Sequence, residues 1–396
     1  MTTRWGLVFL VFALGAITTM QLGKVPPTLP LIRSDLGISM VTAGWVASLI
    51  NVIGAAIGVV VGIAAVSIGH RRVVVYSLAC IVAGSALGGF ADSGAFLLVT
   101  RFLEGVGYIA IIVAGTPLIA NVCAGKDMDA AMGLWSAYFP LGVGIMILTA
   151  PAFLAAFGWR ALWFGNAILA GAFLILFLVA TRGVGATATP GARQTWADVR
   201  TTLARPGPWL LTASFIPMSI SVFALTTWMP TFLIEQLGRA PAIAAIYTAV
   251  FMLLFIPSNV VGGWLLANPR IKRWYLLAAG GVALGVLPLG IIGDGVPEWA
   301  RIVCALVYTQ VVGLIPGAVF AGMPAHAPTP RQVGTVAGVL TQGNFLGVLL
   351  GPPLLAQAVE ALGGWAQSSW VMLFVGALGV ATALAIGWIE ARPRAA

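Results

Sequence analysis

Charge is scarce in this sequence. Asp, Glu, Lys and Arg supply 8% of its 396 residues, where a soluble domain carries about a quarter, so an ordinary water-facing surface cannot be built from it. Cysteine is nearly absent: Cys80, Cys123 and Cys304 stand in or at the ends of apolar segments without CxxC spacing. That excludes a disulfide framework or a thiolate metal site and leaves three small core residues. The two histidines, His70 and His326, lie far apart in predicted loops, so no imidazole pair is available for a metal. No GxxxxGK[ST] stretch occurs, which removes ATP as a direct energy source. Acids number 11 and stand mostly alone at segment ends, leaving hydrolysis and metal chemistry nothing to work with. The expectation is a protein that is not an enzyme and uses no cofactor.

What is present is oil-loving side chain: 60% of residues are hydrophobic and the mean hydropathy is +1.03. Apolar stretches of about 18–28 residues, separated by short polar turns, read as membrane helices. They predict spans near 5–29, 42–66, 71–90, 95–122, 130–155 and 160–181, then near 209–233, 242–267, 274–293, 299–322, 333–358 and 366–389. The stretch from Trp5 to Leu22 has no small-residue cleavage site after it, so it is expected to be a retained span and not a leader. One long polar connection, Arg182 to Pro208, divides the series, and Thr195 to Leu203 within it has the length of a short surface helix. The expected division is an N-terminal six-helix bundle at 1–181, a linker at 182–208 and a C-terminal six-helix bundle at 209–396.

The formal net charge of +9 does not call for a nucleic acid, because the basic residues collect in alternate loops. Arg4, Arg71, Arg72, Lys126, Arg182, Arg193, Arg200, Arg205, Arg270, Lys272, Arg273, Arg331, Arg392 and Arg394 fall on one side, against Arg33, Arg160, Arg239 and Arg301 on the other. By the positive-inside rule this places the linker and both termini in the cytoplasm, as expected for a multi-pass inner-membrane protein embedded in lipid. A monomer suffices for such an architecture.

The halves repeat. Gly62 opens a loop closing on Arg71-Arg72, and Gly262 opens one closing on Lys272-Arg273, an offset of 200 to 201. Gly133, Leu141-Gly142-Val143 and Trp159 recur as Gly338, Leu346-Gly347-Val348 and Trp365, offset by 205 to 206. Landmarks at a near-constant offset point to duplication of a six-helix unit. Gly54, Gly58 and Gly62 form a small-residue stripe that lets a neighbouring helix approach closely.

These halves, the linker and the loops resemble the major facilitator superfamily of secondary transporters. Its marker loop runs Gly, three residues, an acid, a base, one residue, Gly, one residue and two bases. Gly62, Gly69, Arg71 and Arg72 fit that pattern, whereas Val66 and Ser67 stand where the acid and base belong. The resemblance makes this a conformational loop whose acid latch is missing, and Ala267-Asn268 in the second half lacks the acid too. Arg101-x-x-Glu104-Gly105-x-Gly107 resembles the fourth-span pattern, and Gly158-Trp159-Arg160 is also familiar. Ala150-Pro151-Ala152-Phe153 departs from the fifth-span ending of drug–proton antiporters, whereas Met132 to Ala137 resembles the cyanate and nitroimidazole permease branch. The resemblance implies that the first, fourth, seventh and tenth spans line a central path, with alternating access between the halves.

Arg101 and Glu104 stand within one apolar span, at a cost of roughly 2.5–3.5 kcal/mol per charge at mid-membrane. Spaced three apart on a helix, they face the same way and can neutralise one another in part. Lys24 lies roughly 28 Å along the first helix from Trp5, just before Pro26-Pro27, with Gln21 one turn below. Lys24 either snorkels to the outer interface or faces a cavity, and Glu104 is either a structural ion-pair partner or a proton-coupling group. Trp135, Tyr138, Thr227, Trp228, Tyr308, Gln310, Gln342 and Asn344 are further candidates for substrate contact, each with a helix–helix hydrogen bond as the alternative. Two cations against one acid favour an anion. The expected function is secondary transport of a small anionic solute, with protons as a candidate coupling ion. The alternatives are an exporter of neutral or lipophilic compounds, and a membrane receptor that binds without translocating.

Overall fold

A computed structural model of the chain describes residues 3–58, 69–124, 127–128, 131, 134–135, 137–182, 196–266, 268, 270–329 and 332–391. Bilayer interiors offer no water to unpaired amides, so the chain closes its backbone hydrogen bonds within helices; no strand occurs among the described residues. The helices are α1 (Trp5–Gly23), α2 (Leu29–Leu36), α3 (Met40–Ser48), α4 (His70–Gly89), α5 (Gly94–Val122), α6 (Tyr138–Ala180) and α7 (Trp196–Leu203). After them come α8 (Pro206–Glu235), α9 (Pro241–Leu253), α10 (Phe255–Leu265), α11 (Arg273–Ile292) and α12 (Glu298–Val312). The series ends with α13 (Leu314–His326), α14 (Val333–Leu362) and α15 (Trp365–Glu390).

Among the described residues, eleven stretches are long and apolar enough to cross a membrane. One of them, α6, has 43 residues, about 65 Å of helix and twice the hydrocarbon thickness. Its backbone breaks at Gly158 (φ 77, ψ 175), so α6 is two spans joined at that residue, which brings the number to twelve. The fold is all-α, with twelve membrane helices in two six-helix halves.

Two differences from the expected boundaries bear on function. The first span does not stop near residue 29: after Gly23 the chain makes a buried 3-10 turn at Pro26–Thr28 and resumes as α2. Proline lacks an N–H and interrupts a helix ladder, but it is well placed at the first turn of the helix that follows. Both histidines sit in helices, not loops: His70 opens α4 and His326 closes α13, with its Nε2 3.0 Å from Glu390 Oε1. The surface helix expected at 195–203 is α7. Ser39 and Ser93 start α3 and α5 by accepting the amides of Thr42 and Phe96, the usual remedy for unpaired first-turn donors.

The described residues form two compact units. One holds α1 to α6, the end of α8 from Thr227, and α9; the other holds α7, α8 up to Thr226, and α10 to α15. In the first, Arg33 pairs with Glu235 at 3.2 Å, and Asp35 accepts from Arg160 and, at 3.0 Å, from Trp159 Nε1. In the second, Arg273 pairs with Glu390 and donates at 3.0 Å to the Ala318 carbonyl.

Gly158 is a test of the two-span reading of α6. Its φ and ψ lie in a region open almost only to glycine, and a Cβ there would meet nothing within 4 Å. Gly158→Ala should therefore destabilise through the backbone alone, by about 1–3 kcal/mol. A thermal unfolding scan in detergent should show a lower Tm, and an unchanged Tm would mean the break tolerates an ordinary residue.

Candidate functional site

The interruption of α1 leaves Lys24 at the helix end, its amide still donating to the Met20 carbonyl at 2.9 Å. Its side chain is fully buried and turns inward. Nζ donates to Glu104 Oε1 at 2.6 Å, Ser85 Oγ at 2.7 Å and Gln21 Oε1 at 2.8 Å. An ammonium has three protons and no acceptor, so these three oxygens account for all of it. Nζ also lies 4.4 Å from the centroid of the Trp163 ring, a cation–π distance. Lys24 therefore neither snorkels to the interface nor offers a free charge.

Arg101 reaches its place through a close approach of backbones. A Cβ on Gly105 would lie 2.5 Å from the Ile50 carbonyl oxygen, so only glycine lets α5 come this near to the turn that follows α3. One helical turn earlier on each strand of this contact, Arg101 Nε donates to the Val46 carbonyl at 2.8 Å. Nη1 donates to the Gln21 carbonyl at 3.0 Å and to Glu104 Oε2. Nη2 is buried without a partner among the described residues, as is the indole nitrogen of Trp163. Ser85 Oγ, 2.7 Å from Glu104 Oε1, donates to the oxygen that Lys24 also binds. Gln21 Nε2 donates to Asn166 Oδ1 at 3.2 Å, and Asn166 Nδ2 to the Leu162 carbonyl at 2.9 Å.

The result is one connected cluster in the first unit, with Lys24, Arg101 and Glu104 each at 0% exposure. Two positive charges and one negative leave it at net +1. A charge buried in low dielectric is tolerable only when paired and hydrogen-bonded, and Glu104 supplies the pairing for both cations. The sequence placed Gln21, Lys24, Arg101 and Glu104 as candidates; it did not single out Ser85, Trp163 or Asn166. Asn166, an amide amid the apolar residues of α6, was the legible member of these three.

The other candidates do not join this cluster. Trp135 and Tyr138 lie against each other, ring centroids 4.3 Å apart. Trp135 fills the space over Gly15, where a Cβ would come within 2.9 Å of the ring. Thr227 and Trp228 are buried in α8. In the second unit Tyr308 Oη lies 2.7 Å from Ser221 Oγ, and Gln310 Oε1 accepts from Ser258 Oγ at 2.8 Å. Asn344 Oδ1 accepts from Ser219 Oγ at 2.6 Å, and Gln342 is half-buried on α14. Of the conformational loop, Gly62 lies outside the described residues, along with Val66 and Ser67. Gly69 takes a left-handed φ of 91 ahead of α4. Arg71 Nε donates to Thr181 Oγ1 at 3.0 Å, and Arg72 is exposed.

A family model described as Major Facilitator Superfamily matches residues 7–352. The probable nitrate/nitrite antiporter NarK1 of Thermus thermophilus is 25% identical, over 87% of this chain and 82% of that protein. The cephamycin export protein CmcT of Amycolatopsis lactamdurans is 27% identical over 86% of this chain, which spans 66% of its length. The probable sulfoacetate transporter SauU of Cupriavidus necator is 24% identical, over 88% of this chain and 86% of that protein. Among solved structures, a bacterial homologue of the human lysosomal transporter Spinster shares the fold at a TM-score of 0.86, with 16% identity and 99% of each chain covered.

The charge arrangement makes a ranked prediction. Glu104→Gln removes the single anion and leaves two cations buried together, which should cost about 3–5 kcal/mol. Lys24→Met leaves the Arg101–Glu104 pair whole and should cost clearly less. Thermal unfolding of the two variants in detergent gives the order, and a Glu104→Gln protein as stable as the parent would contradict the pairing described above.

Proposed function

Because this chain belongs to the major facilitator superfamily, we propose that it is a secondary active transporter whose solutes are small anions moved together with protons. Transport without enzymatic chemistry follows from the family; the anion and the proton are the further step. The observation behind them is the net positive cluster of Lys24, Glu104 and Arg101, the only charged side chains in the buried set of the described residues. A fixed excess of one positive charge in low dielectric lowers the free energy of an anion in its vicinity and raises that of a cation. The relatives named for nitrate, nitrite and sulfoacetate, all anions, agree with that sign.

In this conformation Lys24 and Arg101 have no accessible surface, so their influence on a solute acts through the field of the cluster, and contact with it requires the cluster to rearrange. The polar groups already paired within each unit, among them Tyr308, Gln310 and Asn344, are proposed to complete recognition when their present partners release them. Trp135, Tyr138, Thr227, Trp228 and Gln342 are proposed to shape the site around the solute. We place the protein in the inner membrane as a monomer, with both termini and the 182–208 linker in the cytoplasm and bundles at 1–181 and 209–396. The excess of basic residues in alternate loops supports this orientation.

A second reading, export of a neutral or lipophilic compound, has the relative named for cephamycin export in its favour. Reconstitution decides between them. Purified protein in proteoliposomes should take up nitrate or sulfoacetate saturably, each competing with the other and neither displaced by a lipophilic cation. Flux of a lipophilic neutral compound with no flux of either anion would favour export, and thermal stabilisation by an anion without any flux would favour a receptor.

A further inference from the structure

We infer that Lys24, and not Glu104, is the group that releases and regains the proton in the transport cycle, so that one proton moves with one anion. The inference rests on the proposed anion transport and deepens it. It begins from the titratable groups facing Lys24 on every element around it. α5 presents Glu104 and, beyond it, Arg101; α4 presents Ser85; α6 presents Trp163 and, through Gln21, Asn166; α1 itself presents Gln21. Only Lys24, Glu104 and Arg101 among these ionise near neutral conditions or carry charge, and a guanidinium does not give up its proton in a protein.

The choice is therefore between two groups, and counting charge makes it. Protonating Glu104 would turn the cluster from net +1 to net +2, with an ammonium and a guanidinium sealed together and no anion between them. Deprotonating Lys24 turns it from net +1 to zero and leaves Arg101 paired with Glu104. The first change aggravates a buried charge and the second removes it. In the second, one N–H bond of the ammonium breaks, its electron pair stays on Nζ, and the proton passes to water on the side to which the cluster opens.

Both couplings that transport needs follow. An anion drawn near the cluster favours the charged lysine, and by linkage the charged lysine favours the anion by the same factor. The ammonium also ties the interrupted end of α1 to α4 and α5 through its bonds to Ser85 and Glu104. A neutral amine loses the charge assistance in those bonds, so the interruption at Gly23–Pro26 becomes free to change its bend.

The test uses full-length protein in proteoliposomes with nitrate as the probe and pyranine inside to report proton entry. The parent protein should accumulate nitrate under an imposed inward proton gradient, with acidification of the lumen. Lys24→Arg keeps the charge but cannot release it, so its gradient-driven accumulation should fall by about tenfold or more relative to its own nitrate exchange at equal pH. Lys24→Gln, permanently neutral and smaller, guards against a packing failure of the arginine variant and should show the same loss of proton entry. Gradient-driven accumulation and proton entry retained in either variant would overturn the assignment. Nitrate and sulfoacetate both failing to exchange in the parent would instead overturn the anion reading, and this inference with it.

Discussion

A carboxylate shared between an ammonium and a guanidinium, all three out of reach of solvent, is the constraint on which the first unit depends. None of the three could be placed there alone, because a bare charge in low dielectric costs several kcal/mol even after relaxation. Glu104 offers one oxygen to Lys24 and the other to Arg101, so neither cation has to find another counterion. Everything around the cluster serves that division. The interruption after Gly23 brings Lys24 inward, Gly105 brings α5 against Ile50 so that Arg101 reaches Val46, and Gln21 bonds both cations through its side chain and its carbonyl.

The fold was largely legible in the sequence because the bilayer removes choices. A stretch of about 20 apolar residues has no low-energy alternative to a helix in lipid, so span counting succeeded wherever hydropathy alone decides. It was less secure where backbone geometry decides. Pro26-Pro27 stand at the interruption, but only the structure shows that the helix resumes to Leu36 and that the break between the spans expected near 130–155 and 160–181 lies at Gly158. The candidate cluster was legible in part for the same reason: a charge in an apolar run is conspicuous, and Arg101, Glu104 and Lys24 could hardly be overlooked. Ser85 is one hydroxyl among many in apolar helices, and Trp163 is one of 14 tryptophans. Nothing in their local sequence records that a lysine some sixty or more positions away comes to rest beside them.

The landmarks that recur along the sequence liken the two halves, yet their interiors differ in kind. In the first unit, the buried contacts between side chains lead to ions. In the second, contacts between side chains away from the helix ends join neutral hydroxyls, phenols and amides, as in Ser221 with Tyr308, Ser258 with Gln310 and Ser219 with Asn344. The helix starts retain their kinship: Arg71, at the start of α4, bonds Thr181 just past the end of α6, and Arg273, at the start of α11, bonds Glu390 at the end of α15. At such an end Glu390 stays partly exposed, so a glutamate in place of a threonine there is cheap. In a span interior the same exchange alters the charge of a sealed volume, so divergence there has larger consequences for which solutes are favoured.

Stability does not account for the cluster. Buried ion networks can often be replaced by apolar side chains of similar volume with no loss, and sometimes with a gain; an all-apolar interior would hold these helices together at least as well. A neutral, lipophilic solute interacts with a fixed charge more weakly than an anion does, and a ligand shifts two states only by its differential affinity for them. The cluster's net positive charge is thus a liability for a protein that only needs to fold. Under the proposed anion transport it has a use, because the excess charge that burdens the fold is what an anion would relieve.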